Sequence, residues 1–180
     1  MSEPSGAQWC ARFPGSASLD DLLPDFRDRV NAFVSAVRRG GAKVTIAATF
    51  RPPERAYLMH WSCLIADSGQ DPAGVAPFPG VNIDWTHGGD TGSARSAARA
   101  MVSGYAIKFP AALASRHTQR RAVDMRIEWN GLLHVTDFNG VNHAIDLPSD
   151  HMNPILHEVG RSFGVIKLVS DPPHWSDDGR

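Results

Sequence analysis

The chain has 180 residues, 42% of them hydrophobic, a size that favours a single domain with one sizeable core. It carries 18 Lys and Arg against 19 Asp and Glu, and this formal net charge of -1 argues against proteins that bind nucleic acid or anionic membranes. The sequence has neither the apolar segment of a signal peptide nor a run of about 18 apolar residues, so we expect no membrane span.

The first third of the chain predicts two helices and a strand after an irregular segment over residues 1–17. Residues 18–41 begin with Ser18 as a candidate cap, continue with apolar residues at helical spacing and end with two arginines before glycine, which predicts a helix. Residues 43–50 (KVTIAATF) alternate and are rich in β-branched side chains, which predicts a strand. Residues 51–69 start with prolines and predict a second helix.

The middle of the chain contains a long segment, residues 70–92, that is rich in proline and glycine. We expect a shaped surface loop here, and loops of this length often carry function. Asp84, His87 and Asp90 are evenly spaced within it, so they could bind a second cation or line a cleft, although such residues more often form turns. The Ala-rich residues 93–105 that follow predict a helix.

The last third predicts more strands and a short helix. Residues 121–138 resemble two strands joined in a hairpin at Asn130 and Gly131. A short helix is expected within residues 148–164, and residues 165–170 (VIKLVS) predict a final strand. Helices between strands, together with a hairpin, indicate the α+β class.

His117 and Asp124 stand seven positions apart where a polar loop runs into the strand at 122–129. This strand alternates, so the Asp124 side chain points away from its apolar face. A bend in the loop would let the His117 imidazole fold back over the face that carries the carboxylate. The pair by itself is also typical of a surface histidine near an exposed aspartate.

A second cluster lies in residues 170–175 (SDPPHW). Pro172 and Pro173 fix two φ angles near about -65° and stiffen the chain between Asp171 and His174. A stiff backbone suits a functional site, although a proline-rich C-terminal tail that carries an aromatic residue by chance would have the same sequence pattern.

The two clusters together supply the residues of a catalytic zinc site. Such a site takes three protein ligands and keeps a fourth position for water, and His117, Asp124 and His174 could form this set. A carboxylate nearby can take the proton of that water and pass it to a leaving amine. Asp171 is the nearest candidate for this role.

These motifs resemble those of the zinc-dependent M15 peptidases, which include D-Ala-D-Ala carboxypeptidases and phage L-alanyl-D-glutamate endopeptidases. The shared pattern is S-x-H-x4-A-x-D, followed by an acid three residues before a His-aromatic pair. In this sequence the pattern consists of Ser115, His117, Ala122, Asp124, Asp171, His174 and Trp175. The resemblance implies helices packed on a small antiparallel sheet, the hedgehog/DD-peptidase fold, over one domain spanning 1–180.

The resemblance also implies a role for each site residue. His117, Asp124 and His174 would be the ligands of a Zn²⁺ cofactor, and Asp171 would be the catalytic base. Ser115 would belong to the substrate-binding residues.

A further match is TFRPPER at residues 49–55, which is similar to the family's strand-end arginine segment. It implies that Arg51 binds the substrate and polarises its carbonyl or carboxylate group. A planar guanidinium suits this role because it meets two oxygens at once. Without the resemblance, a surface ion pair at the helix start would explain Arg51 equally well.

Two positions depart from the family pattern. Many members have glycine where Arg120 stands, so either the loop bends differently or Arg120 reaches into the cleft. Asp171 is shorter than the glutamate of the carboxypeptidases, and aspartate is more similar to the endopeptidase branch.

The resemblance implies a peptidase that acts on peptidoglycan peptides, with an L-Ala-D-Glu endopeptidase favoured over a carboxypeptidase. Without a signal peptide, we expect the protein to be cytoplasmic until it is released or injected to reach the wall. The alternative is a module of the same fold that binds zinc without hydrolysis. Asp171 favours the enzyme, because a structural zinc site more often fills its fourth position with a protein ligand.

Overall fold

A computed structural model describes residues 2–180 and shows an α+β protein, the class that the sequence predicts. The helices within this range are α1 (Pro24–Arg39), α2 (Pro53–Asp67), α3 (Thr91–Tyr105) and α4 (Pro154–Ser162). The strands are β1 (Glu3–Pro4), β2 (Lys43–Ala48), β3 (Ile83–Asp84), β4 (Ala122–Glu128), β5 (Leu133–Thr136), β6 (Asn142–Ile145), β7 (Ile166–Lys167) and β8 (His174–Ser176). None of the helices within residues 2–180 has both the length and the apolar character needed to cross a membrane.

The chain divides into two compact units, each built from two separate segments. The first unit contains the described residues up to Gly15 together with Arg51–Ala114. The second unit contains Ser16–Phe50 and Ser115–Arg180. That the whole chain acts as one domain stays a prediction.

The second unit is organised around a four-stranded antiparallel sheet in the order β2-β4-β8-β7. Along β4 the residues Val123, Met125 and Ile127 are fully buried, and this alternation agrees with the predicted strand. They share a core with Phe33 of α1 and Trp175 of β8. Full burial of each such side chain contributes roughly 1.5–3 kcal/mol to the stability of the fold. This core therefore stabilises the sheet, whose other face is polar.

The first helix begins later than the sequence predicts. The Ser18 side chain accepts a hydrogen bond from the Asp20 backbone and so caps a short 3-10 helix, Leu19–Asp21. Leu23 is extended (φ -61°, ψ 140°), as expected for a residue that precedes proline, and α1 starts at Pro24. The serine therefore caps a separate turn ahead of the helix.

The predicted hairpin between β4 and β5 is wrong, although both strands exist. One edge of β4 pairs with β2 and the other with β8, so it has no edge left for β5. β5 pairs instead with β6, where Leu133 lies opposite Ile145. The predicted strand at 165–170 shortens to Ile166–Lys167, and the sequence did not indicate β8, which follows two prolines.

The first unit is mainly helical. Its core contains Leu58 and Ile65 of α2 and Met101 of α3, all fully buried. The N-terminal residues, which the sequence predicts to be irregular, include β1, which pairs in parallel with β3. They also include a short 3-10 helix, Ala7–Ala11, that buries Trp9. This packing gives the segment more regular structure than its composition indicates.

Candidate metal centre

Three side chains of the second unit converge on one point. The Nε2 atom of His117 lies 3.1 Å from Oδ1 of Asp124 and 3.1 Å from Nδ1 of His174. The His174 Nδ1 atom lies 3.2 Å from the same Asp124 oxygen. Among residues 2–180 these three form the one group of histidine, cysteine or acidic side chains that could hold a metal ion.

The sheet places two of these side chains and a turn places the third. Asp124 on β4 and His174 on β8 are direct register partners, so their side chains stand side by side on the sheet. His117 lies in the turn before β4, where its carbonyl accepts a hydrogen bond from the Arg120 backbone. The bend predicted from the polar residues is therefore present, and the imidazole folds back to the carboxylate.

The outer nitrogen of each imidazole is held by a main-chain carbonyl. Nδ1 of His117 lies 2.8 Å from the carbonyl oxygen of Thr49, which is itself buried. Nε2 of His174 lies 3.1 Å from the main-chain oxygen of Arg180. These oxygens can only accept, so each outer nitrogen carries a hydrogen, and in the neutral form of each ring the inner nitrogen turns a lone pair towards Asp124.

The geometry and the donor types fit a metal ion. Ligands that stand about 2.0–2.1 Å from a tetrahedral ion are separated from one another by about 3.3 Å, close to the three distances between the donor atoms. When both rings are neutral and their outer nitrogens carry the hydrogens, two lone pairs and a carboxylate oxygen face one another with no hydrogen between them. A cation at their centre would turn this mutual repulsion into attraction.

The ionisation of Asp124 also suits a ligand. Burial of the carboxyl group favours its neutral form, but hydrogen bonds and positive charge from the imidazoles of His117 and His174, when each ring carries a second hydrogen, outweigh burial and hold the pKa of Asp124 well below its usual range. Asp124 is therefore an anion at neutral pH, which is the form that binds a metal.

Ion pairs tie the turn that carries His117 to the segment after β8. Arg116 pairs with Asp178 and lies 3.4 Å from Asp177. Arg121 contacts Asp177 at 3.0 Å and Asp25 of α1 at 3.2 Å. These pairs hold two ligand-bearing segments together. The sequence motifs do not indicate these pairs, although Arg116 and Arg121 on either side of the turn and the two aspartates at 177–178 carry opposite charges.

The structure places the other predicted site residues in different surroundings. Asp171 is exposed in the turn between β7 and β8, three residues before His174. Ser115 takes part in the turn before β4, where its backbone N-H donates to the Thr118 hydroxyl. Arg51 precedes α2 and belongs to the first unit, whereas the three converging side chains belong to the second.

Arg120 has the backbone conformation that glycine favours. Its φ is 60°, in the left-handed region, so the turn bends as a glycine would allow while it carries a long side chain. The guanidinium lies over the ring of Phe50, 4.6 Å from its centroid.

The acidic and histidine residues of the long loop are engaged in local contacts. Asp84 accepts a hydrogen bond from the Thr86 backbone at 2.8 Å, and Asp90 caps α3 through the Gly92 backbone at 2.9 Å. Nε2 of His87 lies 2.9 Å from the Ser5 hydroxyl. These contacts agree with turn and capping roles, the more frequent use of such residues.

Comparison with known proteins adds no relative: no family model matches the chain, and no curated protein matches it either.

Proposed function

We propose that this protein is a zinc-dependent peptidase of the M15 type, with the hedgehog/DD-peptidase fold, that cuts an amide bond in bacterial cell-wall peptides. The observation that supports this most is the convergence of His117, Asp124 and His174 within 3.2 Å of one another. These are the three residues that the sequence motifs single out as zinc ligands.

Zinc suits this donor set better than Mg²⁺ or Ca²⁺ does. Two imidazole nitrogens and one carboxylate oxygen are typical of catalytic zinc, whereas Mg²⁺ and Ca²⁺ prefer oxygen donors alone. The three residues leave a fourth position for water or substrate. Zinc held there would polarise a scissile carbonyl and lower the pKa of water towards about 7.

Asp171 is the proposed proton carrier. Its exposure leaves the carboxylate accessible to water and substrate, and it is not one of the three converging donors. In this role Asp171 takes a proton from the attacking water and delivers it to the nitrogen of the leaving amine. The amide bond breaks to give one carboxylic acid and one amine.

An aspartate at this position supports an endopeptidase over a carboxypeptidase, and the L-Ala-D-Glu bond is the proposed target. Peptidoglycan peptides are therefore the proposed substrate, and no nucleic-acid partner is proposed.

Mass spectrometry of purified muropeptides tests the function directly. We expect the zinc-loaded protein to release fragments whose masses mark cleavage between L-Ala and D-Glu. Stripping the metal with a chelator should abolish this release, and adding zinc back should restore it. Cleavage before the terminal D-Ala would identify a carboxypeptidase instead. A protein that holds zinc but leaves every peptide intact would be a non-catalytic zinc module.

Arg51→Lys should lower hydrolysis strongly while zinc content stays unchanged. Lysine keeps the charge but loses the planar, two-pronged donor geometry that holds a carbonyl or carboxylate group. We expect a loss of roughly 10²-fold in kcat/KM, the effect of misplacing a substrate-positioning group. Steady-state kinetics on a defined wall peptide give this value.

Arg95→Lys is the matched control for Arg51→Lys, because Arg95 is an exposed arginine on α3 of the same unit. It should leave kcat/KM unchanged. Wild-type turnover by Arg51→Lys would remove Arg51 from the proposed substrate site.

A further inference from the structure

Lys167 is a buried lysine, with only 7% of its surface exposed, and its ammonium contacts the main chain of His174, one of the three converging residues. All three hydrogens of its ammonium have acceptors. The Nζ atom lies 2.5 Å from the carbonyl oxygen of Leu168, 2.7 Å from that of Asp171 and 3.1 Å from that of His174. One ammonium therefore holds three carbonyls of the segment that runs from β7 into β8.

The same three residues are joined by a closed ring of backbone hydrogen bonds. The Leu168 N-H donates to His174, the Asp171 N-H donates to Leu168, and the His174 N-H donates to Asp171. Each carbonyl thus accepts one backbone hydrogen and one from Lys167. The ring points three carbonyl dipoles at a single nitrogen, an arrangement in which the dipoles repel one another unless a positive charge sits among them.

Packing alone does not account for a lysine at this position. Burying an ammonium costs free energy that an apolar side chain would not incur. Three carbonyl acceptors match the three hydrogens of an ammonium, so the geometry is that of a cation held by three carbonyls.

We propose that Lys167 is a positioning residue for the metal centre. Its ammonium fixes the shape of the segment 168–174, so that His174 presents Nδ1 to His117 and Asp124, and the main chain of Asp171 is held in place. The inference rests on the metal site of the proposed function, but it does not require that the protein cut a peptide.

The test is Lys167→Met, which replaces the ammonium by an apolar group of similar length. Competition with a chelator should show zinc affinity lowered by roughly 10–100-fold, the usual effect of losing a group that orients a metal ligand. Cobalt(II) in place of zinc should give a visible absorption spectrum of altered shape even at saturation. Lys43→Met is the matched control, since Lys43 is exposed on β2 of the same unit.

Two results separate positioning from a purely structural role. If Lys167 had only a structural role, Lys167→Met would have a lower melting temperature than the wild type. The folded variant would still have the wild-type cobalt spectrum and zinc affinity. That outcome would overturn the proposal. The zinc affinity and the cobalt spectrum are both measured without substrate. A wild-type protein that binds zinc but cuts no wall peptide would therefore refute the proposed peptidase activity without affecting the proposed role of Lys167.

A measurement on the unaltered protein covers the case in which Lys167→Met does not fold. The chain has three lysines, Lys43, Lys108 and Lys167, so two conservative arginine variants assign their ammonium signals in an NMR spectrum of nitrogen-labelled lysine. We expect the Lys167 ammonium hydrogens to exchange with water far more slowly than those of the exposed Lys43 and Lys108. Equal exchange rates for all three would contradict the three-carbonyl arrangement and the proposal with it.

Discussion

Asp171→Asn should leave zinc in the protein and lower peptide hydrolysis by roughly 10²–10⁴-fold, the contribution of general acid-base catalysis. Asparagine has a similar shape but cannot accept the proton. The contacts that hold this position survive the change, because Lys167 and His174 bond to the main-chain carbonyl of Asp171. Metal analysis and initial rates on one wall peptide measure the two halves of the prediction.

The controls separate proton transfer from metal binding. Asp146→Asn changes an exposed aspartate of the same unit and should leave the rate unchanged. Asp171→Glu tests how far the carboxylate must extend from the main chain. Partial activity of this variant would mean that one added methylene is tolerated. Loss of zinc from Asp171→Asn would make the residue a ligand. Full activity with zinc retained would assign the proton to another group, such as Glu158 or Asp177.

His174→Ala should bind little zinc and should lose the stability that zinc gives to the wild-type protein. The change removes one of three donors and also the hydrogen bond to Arg180. A ligand present at 100 times its dissociation constant stabilises the folded state by about 2.7 kcal/mol, and this gain disappears with the site. Calorimetry with and without chelator, together with elemental analysis, provides the comparison.

His134→Ala is the control for His174→Ala, since His134 is an exposed histidine on β5 of the same unit. Its zinc content and its response to chelator should match the wild type. If His174→Ala keeps full zinc occupancy, His174 does not belong to the metal centre, and the proposed ligand set fails.

The sequence predicts the three converging side chains because their signals are local. Asp124 is placed by the alternation of one strand, and His117 by the polar loop just before it. His174 stands beside prolines that restrict the backbone over a few residues. Each residue has a signal in its immediate neighbours, but bringing His174 to the other two depends on the pairing of β8 with β4, which the sequence does not indicate.

Strand pairing failed where it depended on distant segments. The turn at Asn130 and Gly131 predicted a hairpin, yet β4 pairs with β2 and with β8, and β8 lies about 50 residues further along. Two strands from elsewhere in the chain occupy both edges of β4. A turn signal reports the local bend and carries no information about this competition.

The groups that orient the ligands were also beyond prediction, because most of them are main-chain carbonyls. Thr49 and Arg180 hold the imidazoles through backbone oxygens, which every residue possesses. Lys167 was predicted only as part of a strand, and its role depends on where three carbonyls come together. Such contacts appear only when the tertiary structure is known.

The wide spacing of the three donors along the chain would make metal binding depend on completed folding of the sheet. His117 and Asp124 can meet as soon as the turn before β4 forms, but His174 joins them only when β8 has added to the sheet. A chain that has not finished its sheet offers two donors and holds zinc weakly. At the low free zinc levels set by competing ligands, the ion would therefore collect on completed molecules and shift the population towards them.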